Sequence, residues 1–90
     1  MSEQSVTVEL LGLARHRGGR AELTARGTTI AELLASVARA CPGLNDVVAV
    51  DGALARHYLV CIDGERFIDD PSEPFPAGSR LLILGADPGG

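Results

Sequence analysis

Hydrophobic and polar residues alternate strictly near the start of the chain. Val6, Val8 and Leu10 are separated by Thr7 and Glu9, the period-two pattern of a strand with one buried face, so a strand is predicted over 5–11. Gly12 and the run Arg15-His16-Arg17-Gly18-Gly19 read as a polar loop. Over 20–25 the alternation resumes, with Ala21, Leu23 and Ala25 set against Glu22 and Thr24. Two strands joined by one loop suggest a hairpin. The period then changes. Thr29 and Glu32 match a capping box, in which each residue's side chain satisfies the other's backbone N–H. Ile30, Leu33, Leu34, Val37, Ala38 and Cys41 recur at the three-and-four spacing of an amphipathic helix over 30–41. Pro42-Gly43 stops it. Burying Leu33, Leu34 and Val37 contributes about 1.5–3 kcal/mol each, and such a stripe needs a sheet to pack against.

Residues 44–55 read ambiguously. The apolar stretch 47–50 suits a short strand or an irregular arm, and Asp51-Gly52 is a turn signal. A strand is predicted over 57–62, with Tyr58, Val60 and Ile62 on one face and Leu59 and Cys61 on the other. Asp63-Gly64 is a tight hairpin turn, returning into a short strand over 65–68. Pro71, Pro74 and Pro76 make 69–78 an extended loop. Residues 80–84 are almost continuously apolar, as in a central strand. Either Leu81 and Ile83 or Leu82 and Leu84 must then face away from the helix. The last six residues, Gly-Ala-Asp-Pro-Gly-Gly, have nothing with which to nucleate structure. The pattern predicts an α+β domain over 1–84 and a flexible tail over 85–90. The strands at 5–11 and 80–84 are expected side by side at the centre of a mixed sheet, with the helix across one face.

Composition narrows the classes of function. Ninety residues leave room for one domain. A hydrophobic content of 46% sets the chain apart from disordered tails. The net charge of -4 disfavours a nucleic acid or an anionic membrane surface as partner. All eight basic residues are arginine, which excludes a P-loop lysine, a Schiff-base lysine and a lysine general base. Cys41 and Cys61 lie outside any CxxC spacing and argue for a reducing compartment. The start of the chain has no charged lead into an apolar run, so neither a signal peptide nor a membrane span is expected, and the cytoplasm is the expected location.

The usual catalytic arrangements are missing. His16 and His57 have no ligand spacing, Asp69-Asp70 beside Pro71 reads as a solvated turn, and both cysteines fall on apolar faces as inert thiols. Gly18-Gly19 lacks the context of a phosphate loop. No metal site and no self-sufficient active centre are expected. What remains is the end of the chain. Gly89-Gly90 offers a carboxylate on an arm without side chains, slim enough to enter another protein's active site. Pro88 fixes its own φ and disfavours helix at Asp87, so the arm should project.

The chain as a whole resembles the MoaD/ThiS family of ubiquitin-like sulfur carriers, in its longer, MoaD-like form. The resemblance rests on V-T-V-E-L-L-G at the start, T-T-I-A-E-L-L-A-S-V in the helix and the C-P-G-L that follows. It continues through D-G-A-L-A-R-H-Y-L-V-C-I-D-G-E and P-A-G-S-R-L-L-I-L to the terminal G-G. It implies a β-grasp fold and a carrier that is a co-substrate rather than an enzyme. By this resemblance the Gly90 carboxylate is adenylated and then thiocarboxylated, with Gly89 and Pro88 in the delivering tail. Leu82 and Leu84 are the expected partner-binding pair. The implied partners are an E1-like adenylyltransferase of MoeB/ThiF type, which consumes ATP, and a sulfur donor such as a cysteine desulfurase or rhodanese. The implied acceptor is an enzyme such as the molybdopterin synthase large subunit; no cofactor is bound by the carrier itself. Carriers for cysteine, thiamin, tRNA or secondary-metabolite sulfur share this pattern. A protein modifier and a β-grasp binding module without tail chemistry also remain open. The segment before Gly89 is often apolar in the family; here it is Ala86-Asp87-Pro88.

Overall fold

The computed structural model describes residues 4–45 and 58–85. Strand β1 (Gln4–Leu11) buries Val6, Val8 and Leu10, as its alternation predicts. Its antiparallel partner is β2 (Glu22–Gly27), with Val6 opposite Ala25 and Val8 opposite Leu23. Helix α2 (Ile30–Ala40) follows, and β3 (Tyr58–Ile62), β4 (Arg66–Ile68) and β5 (Leu81–Gly85) complete one mixed sheet in the order β2-β1-β5-β3-β4. The chain's last described strand is thus the middle of the sheet. It runs parallel to β1, with Val8 opposite Leu81 and Leu10 opposite Ile83, and antiparallel to β3.

Helix α2 lies across one face. Ile30, Leu33, Leu34 and Val37 are fully buried, in one cluster with Val8, Leu10, Val60, Leu81 and Ile83. Its start is fully hydrogen-bonded. Glu32 N donates to Thr29 Oγ1 at 3.2 Å, and Glu32 Oε1 accepts from the backbone N–H groups of Thr28 (2.7 Å) and Thr29 (3.4 Å). The first two helical N–H groups donate to the proline-rich loop instead, Ile30 N to the Glu73 carbonyl at 3.0 Å and Ala31 N to that of Pro71 at 2.7 Å. That loop is anchored by Phe75, whose ring enters the core while its N–H donates to the Thr28 carbonyl at 2.9 Å. Asp63 and Gly64 both adopt positive φ, 58° and 73°, the geometry of a type I′ turn.

The structure corrects two expectations. The segment read as a polar loop is a helix, α1 (Gly12–Gly18), with Ala14 fully buried. Gly19 ends it in the left-handed conformation, φ 75°, and its N–H donates to the Arg15 carbonyl at 2.9 Å. Seven residues cannot sustain a helix alone; packing holds this one, against Leu10, Cys41 and Leu44 at Gly18 and under the Pro42–Leu44 turn. The second correction follows from the first. Because the helix occupies 12–18, β2 begins later, and Ala21 is exposed while Leu23, Ala25 and Gly27 face inward. Residues 46–57, which include the ambiguous 47–50 stretch, lie outside the described residues.

Candidate functional site

Strand β5 settles which alternate side chains face outward. Leu81 and Ile83 are fully buried against the helix, while Leu82 and Leu84 are half-buried on the opposite face. Both are members of the expected partner-binding pair. They do not stand alone. Leu84 is directly opposite Leu59 on β3, and Leu82 is opposite Cys61, which in turn is opposite Phe67 on β4. Leu59 is 41% exposed and Phe67 is 63% exposed, large apolar side chains left in water. The Cys61 thiol is buried between these neighbours, outside the helix-side core, and lies 4.0 Å from the Ile62 carbonyl oxygen. The β3–β4–β5 half of this face is therefore a continuous apolar strip. The β1–β2 half carries Thr7, Glu9, Glu22, Thr24 and Arg26 instead, and only Leu11, opposite Leu84, extends the apolar strip onto β1; Glu9 pairs with Arg80 at 3.3 Å.

Leu59 and Phe67 were not among the residues singled out from sequence. The signal for Leu59 was present, since alternation over 57–62 places it opposite Tyr58. Phe67 sits in a three-residue strand, too short for a period to show.

The end of β5 is crowded. Gly85 continues the inward side of the strand, opposite Tyr58. A Cβ built on Gly85 would lie 2.6 Å from Leu13 Cβ and 3.4 Å from Leu13 N, so only glycine allows α1 to approach the strand this closely. Tyr58 is buried and accepts a hydrogen bond at its hydroxyl from Arg17 Nη1 of α1 at 3.0 Å. The point from which the remaining five residues depart is thus held between α1 and β3. The same end of the sheet carries a shallow depression of about 470 Å³ lined by Gly12, Arg15, His16, Gly19, Arg20 and Ala21. Pro88, Gly89 and Gly90, with the expected flexibility of the tail, lie outside the described residues.

The remaining candidates play structural parts. Asp70 accepts from Ser72 N at 3.0 Å and Ser72 Oγ at 2.7 Å, and these bonds hold its carboxyl below its ordinary value. The backbone N–H and hydroxyl of Thr28, then the Thr29 N–H, likewise lower Glu32. Cys41 is buried at the end of α2. No group of three or more metal-ligating side chains forms among the described residues, and no helix there is long and apolar enough to cross a membrane.

No family model and no curated protein matches the chain. Solved structures do. The small archaeal modifier protein SAMP1 from Haloferax volcanii matches with a TM-score of 0.80 and 24% identity over 97% of this chain and 100% of that one. SAMP1 from Methanosarcina acetivorans gives 0.80 and 20% over the full length of both. The fold is a ubiquitin-like β-grasp. A structure of the Amycolatopsis orientalis BexX/CysO complex matches with a TM-score of 0.76 and 25% identity, over 94% of this chain and 99% of that one. In this β-grasp the helix grips one face of the sheet, and the apolar strip occupies the face the helix leaves open.

Proposed function

We propose that this β-grasp protein is a sulfur carrier whose reacting group is the Gly90 carboxylate, serving as the small subunit of a molybdopterin synthase. The observation that carries this reading is the position of Gly85. The middle strand hands the chain to its last five residues beside an apolar strip that α2 does not cover. A partner seated on Leu59, Phe67, Leu82 and Leu84 therefore receives whatever follows Gly85 at a fixed point. Five extended residues reach at most about 18 Å from there, enough to enter a cleft in that partner.

The chemistry suits a group delivered in this way. A carboxylate is a poor electrophile. Attack of its oxygen on the α-phosphorus of ATP, held by an E1-like partner, expels pyrophosphate and leaves an acyl adenylate. Hydrosulfide released by a sulfur-donor enzyme then attacks the acyl carbon and displaces AMP, and the resulting thiocarboxylate is a far better nucleophile than the carboxylate it replaces. The carrier's part is to present the terminus; the catalytic groups and ATP belong to the partner.

Deleting Gly90 moves the carboxylate back by about 3.3–3.6 Å, and a 1 Å misplacement of a reacting atom already costs about a hundredfold. Pyrophosphate release with the activating enzyme of the native host should collapse for the deletion and for a variant with one added residue, while both melt like the wild type. Adenylation of both at the wild-type rate would sink the proposal. The intact mass of the protein from its native host should show one terminal oxygen replaced by sulfur.

The likeness to small archaeal modifier proteins supports a second reading, in which the activated Gly90 forms an isopeptide bond with a target lysine. Higher-mass conjugates that survive reducing agents would select it.

A further inference from the structure

The chain is acidic overall, yet three of its eight arginines and one of its two histidines fall within six residues, Arg15, His16, Arg17 and Arg20. All four are exposed. They sit where α1 turns into β2, at the end of the sheet where β5 finishes: a Cβ at Gly12, which begins α1, would lie 4.0 Å from Gly85 N. Arg17 is committed to Tyr58. Arg15, His16 and Arg20 instead line the open depression, whose wall holds no carboxylate among the described residues. The opposite end of the sheet is arranged differently. There Arg66 pairs with Glu73 at 2.6 Å, and Arg80 pairs with Glu9 at 3.3 Å while its N–H donates to Asp63 at 2.9 Å.

We infer that Arg15, His16 and Arg20 form a docking surface for an acidic patch that borders the tail-receiving cleft of the activating enzyme. The inference rests on the carrier reading above and adds the chemistry of the partner surface. Like charges gathered on one rim repel one another, and among the described residues no acid relieves Arg15 or Arg20. A complementary surface relieves that repulsion only when the two proteins meet. Charges at a rim act mainly on encounter and orientation. Here they line a depression that begins at Gly12, next to Gly85, so attraction at this end aligns the chain terminus with the cleft before the apolar strip closes on its partner. An acidic protein surface is favoured over a free phosphate because the depression is open and shallow and does not enclose a small anion.

The test is steady-state adenylation by the native host's activating enzyme, at low and at physiological ionic strength. It compares wild type, Arg15→Glu/Arg20→Glu and the charge-matched control Arg26→Glu/Arg39→Glu, whose exposed side chains lie away from the depression. For the first variant the KM for the carrier should rise about tenfold with kcat unchanged, and the salt dependence of kcat/KM seen for wild type should flatten. The control should stay within about twofold of wild type. Equal behaviour of wild type and the first variant at low salt overturns the inference and leaves the carrier reading intact. So does an equal loss in the control, which would make the effect one of net charge, or a rise in the KM for ATP alone, which would make the site a phosphate site. Failure of the wild type itself to be adenylated defeats the carrier reading and this inference with it.

Discussion

Leu81 and Ile83 are sealed against α2, while Leu82 and Leu84, their neighbours in the same strand, stand half-buried on a face that α2 never reaches. The four side chains are chemically alike and come from one unbroken apolar run. Their different fates follow from the pleat, which sends successive side chains to opposite faces, and from helices that cover only the inner face. On the inner face the cross-strand neighbours are Val60 and Ile62, buried with them. On the outer face they are Leu59 and Cys61, beside a Phe67 that remains 63% exposed. An apolar inner face maintains the fold. An apolar outer face contributes little to a lone molecule and is the kind of surface retained for a partner.

The sharpest way to break this comparison is truncation within β5. Ile83→Ala should cost about 2–5 kcal/mol, the range for a buried aliphatic side chain whose cavity cannot collapse. Leu84→Ala should cost clearly less. Urea unfolding of the two variants reads the difference directly, and equal losses would mean that the two faces are not energetically distinct. Next in size is the complementary experiment. Leu82→Asp/Leu84→Asp should weaken partner binding at least about thirtyfold, the effect of losing about 2 kcal/mol at an interface hot spot, with a much smaller change in melting temperature. A large stability loss with unimpaired binding in the folded fraction would assign the strip to the fold alone.

A third substitution probes the last inward position of the strand. Gly85→Ala drives a methyl group against Leu13, so α1 must shift, at the cost of about 1–3 kcal/mol typical of overpacking. Hydrogen exchange should then show faster opening of α1 than of α2. The smallest expected effect is that of acid. Glu32 and Asp70 are both held below their ordinary values by hydrogen bonds at the start of α2 and in the loop that caps it. A carboxyl lowered in the folded state adds stability that is present above its unfolded pKa, near 4, and is lost as pH falls through the folded value. Acid below about pH 4 should therefore loosen the start of α2 first, seen as fraying of its first turn by amide exchange. Thr29→Ala, which removes half of the capping box, should shrink that acid-dependent part.

Long, periodic elements could be read from the chain. The alternation of Val6, Val8 and Leu10, the helix stripe from Ile30 to Val37 and the Asp63-Gly64 turn each carry their pattern within a few residues, and the structure shows each as expected. Helix α1 was missed because seven residues hold only two turns, with Leu13 and Ala14 as the apolar positions. The Gly18-Gly19 pair after three basic residues is a helix-stop signal, but the apolar stretch before it is too short to distinguish a helix from a loop. Of the candidate site, Leu82 and Leu84 were legible as an alternating pair. Leu59 and Phe67 join them only through the pairing of β3 with β5 and β4.

Local order along the chain was enough to determine the class of fold, the helix with its caps, and the fact that one alternate pair of β5 must lie away from the helix. Those properties depend on backbone periods of two and 3.6 residues and on groups only a few positions apart. Only the tertiary structure decided which pair lies outside, what stands beside it, and that Gly85 is held between Leu13 and Tyr58. It likewise brought Arg15, His16 and Arg20 to the end of the sheet where the tail departs. These depend on contacts between residues far apart in sequence, such as Leu13 with Gly85 and Leu59 with Leu84, which no local period encodes and which exist only once the sheet has closed around β5.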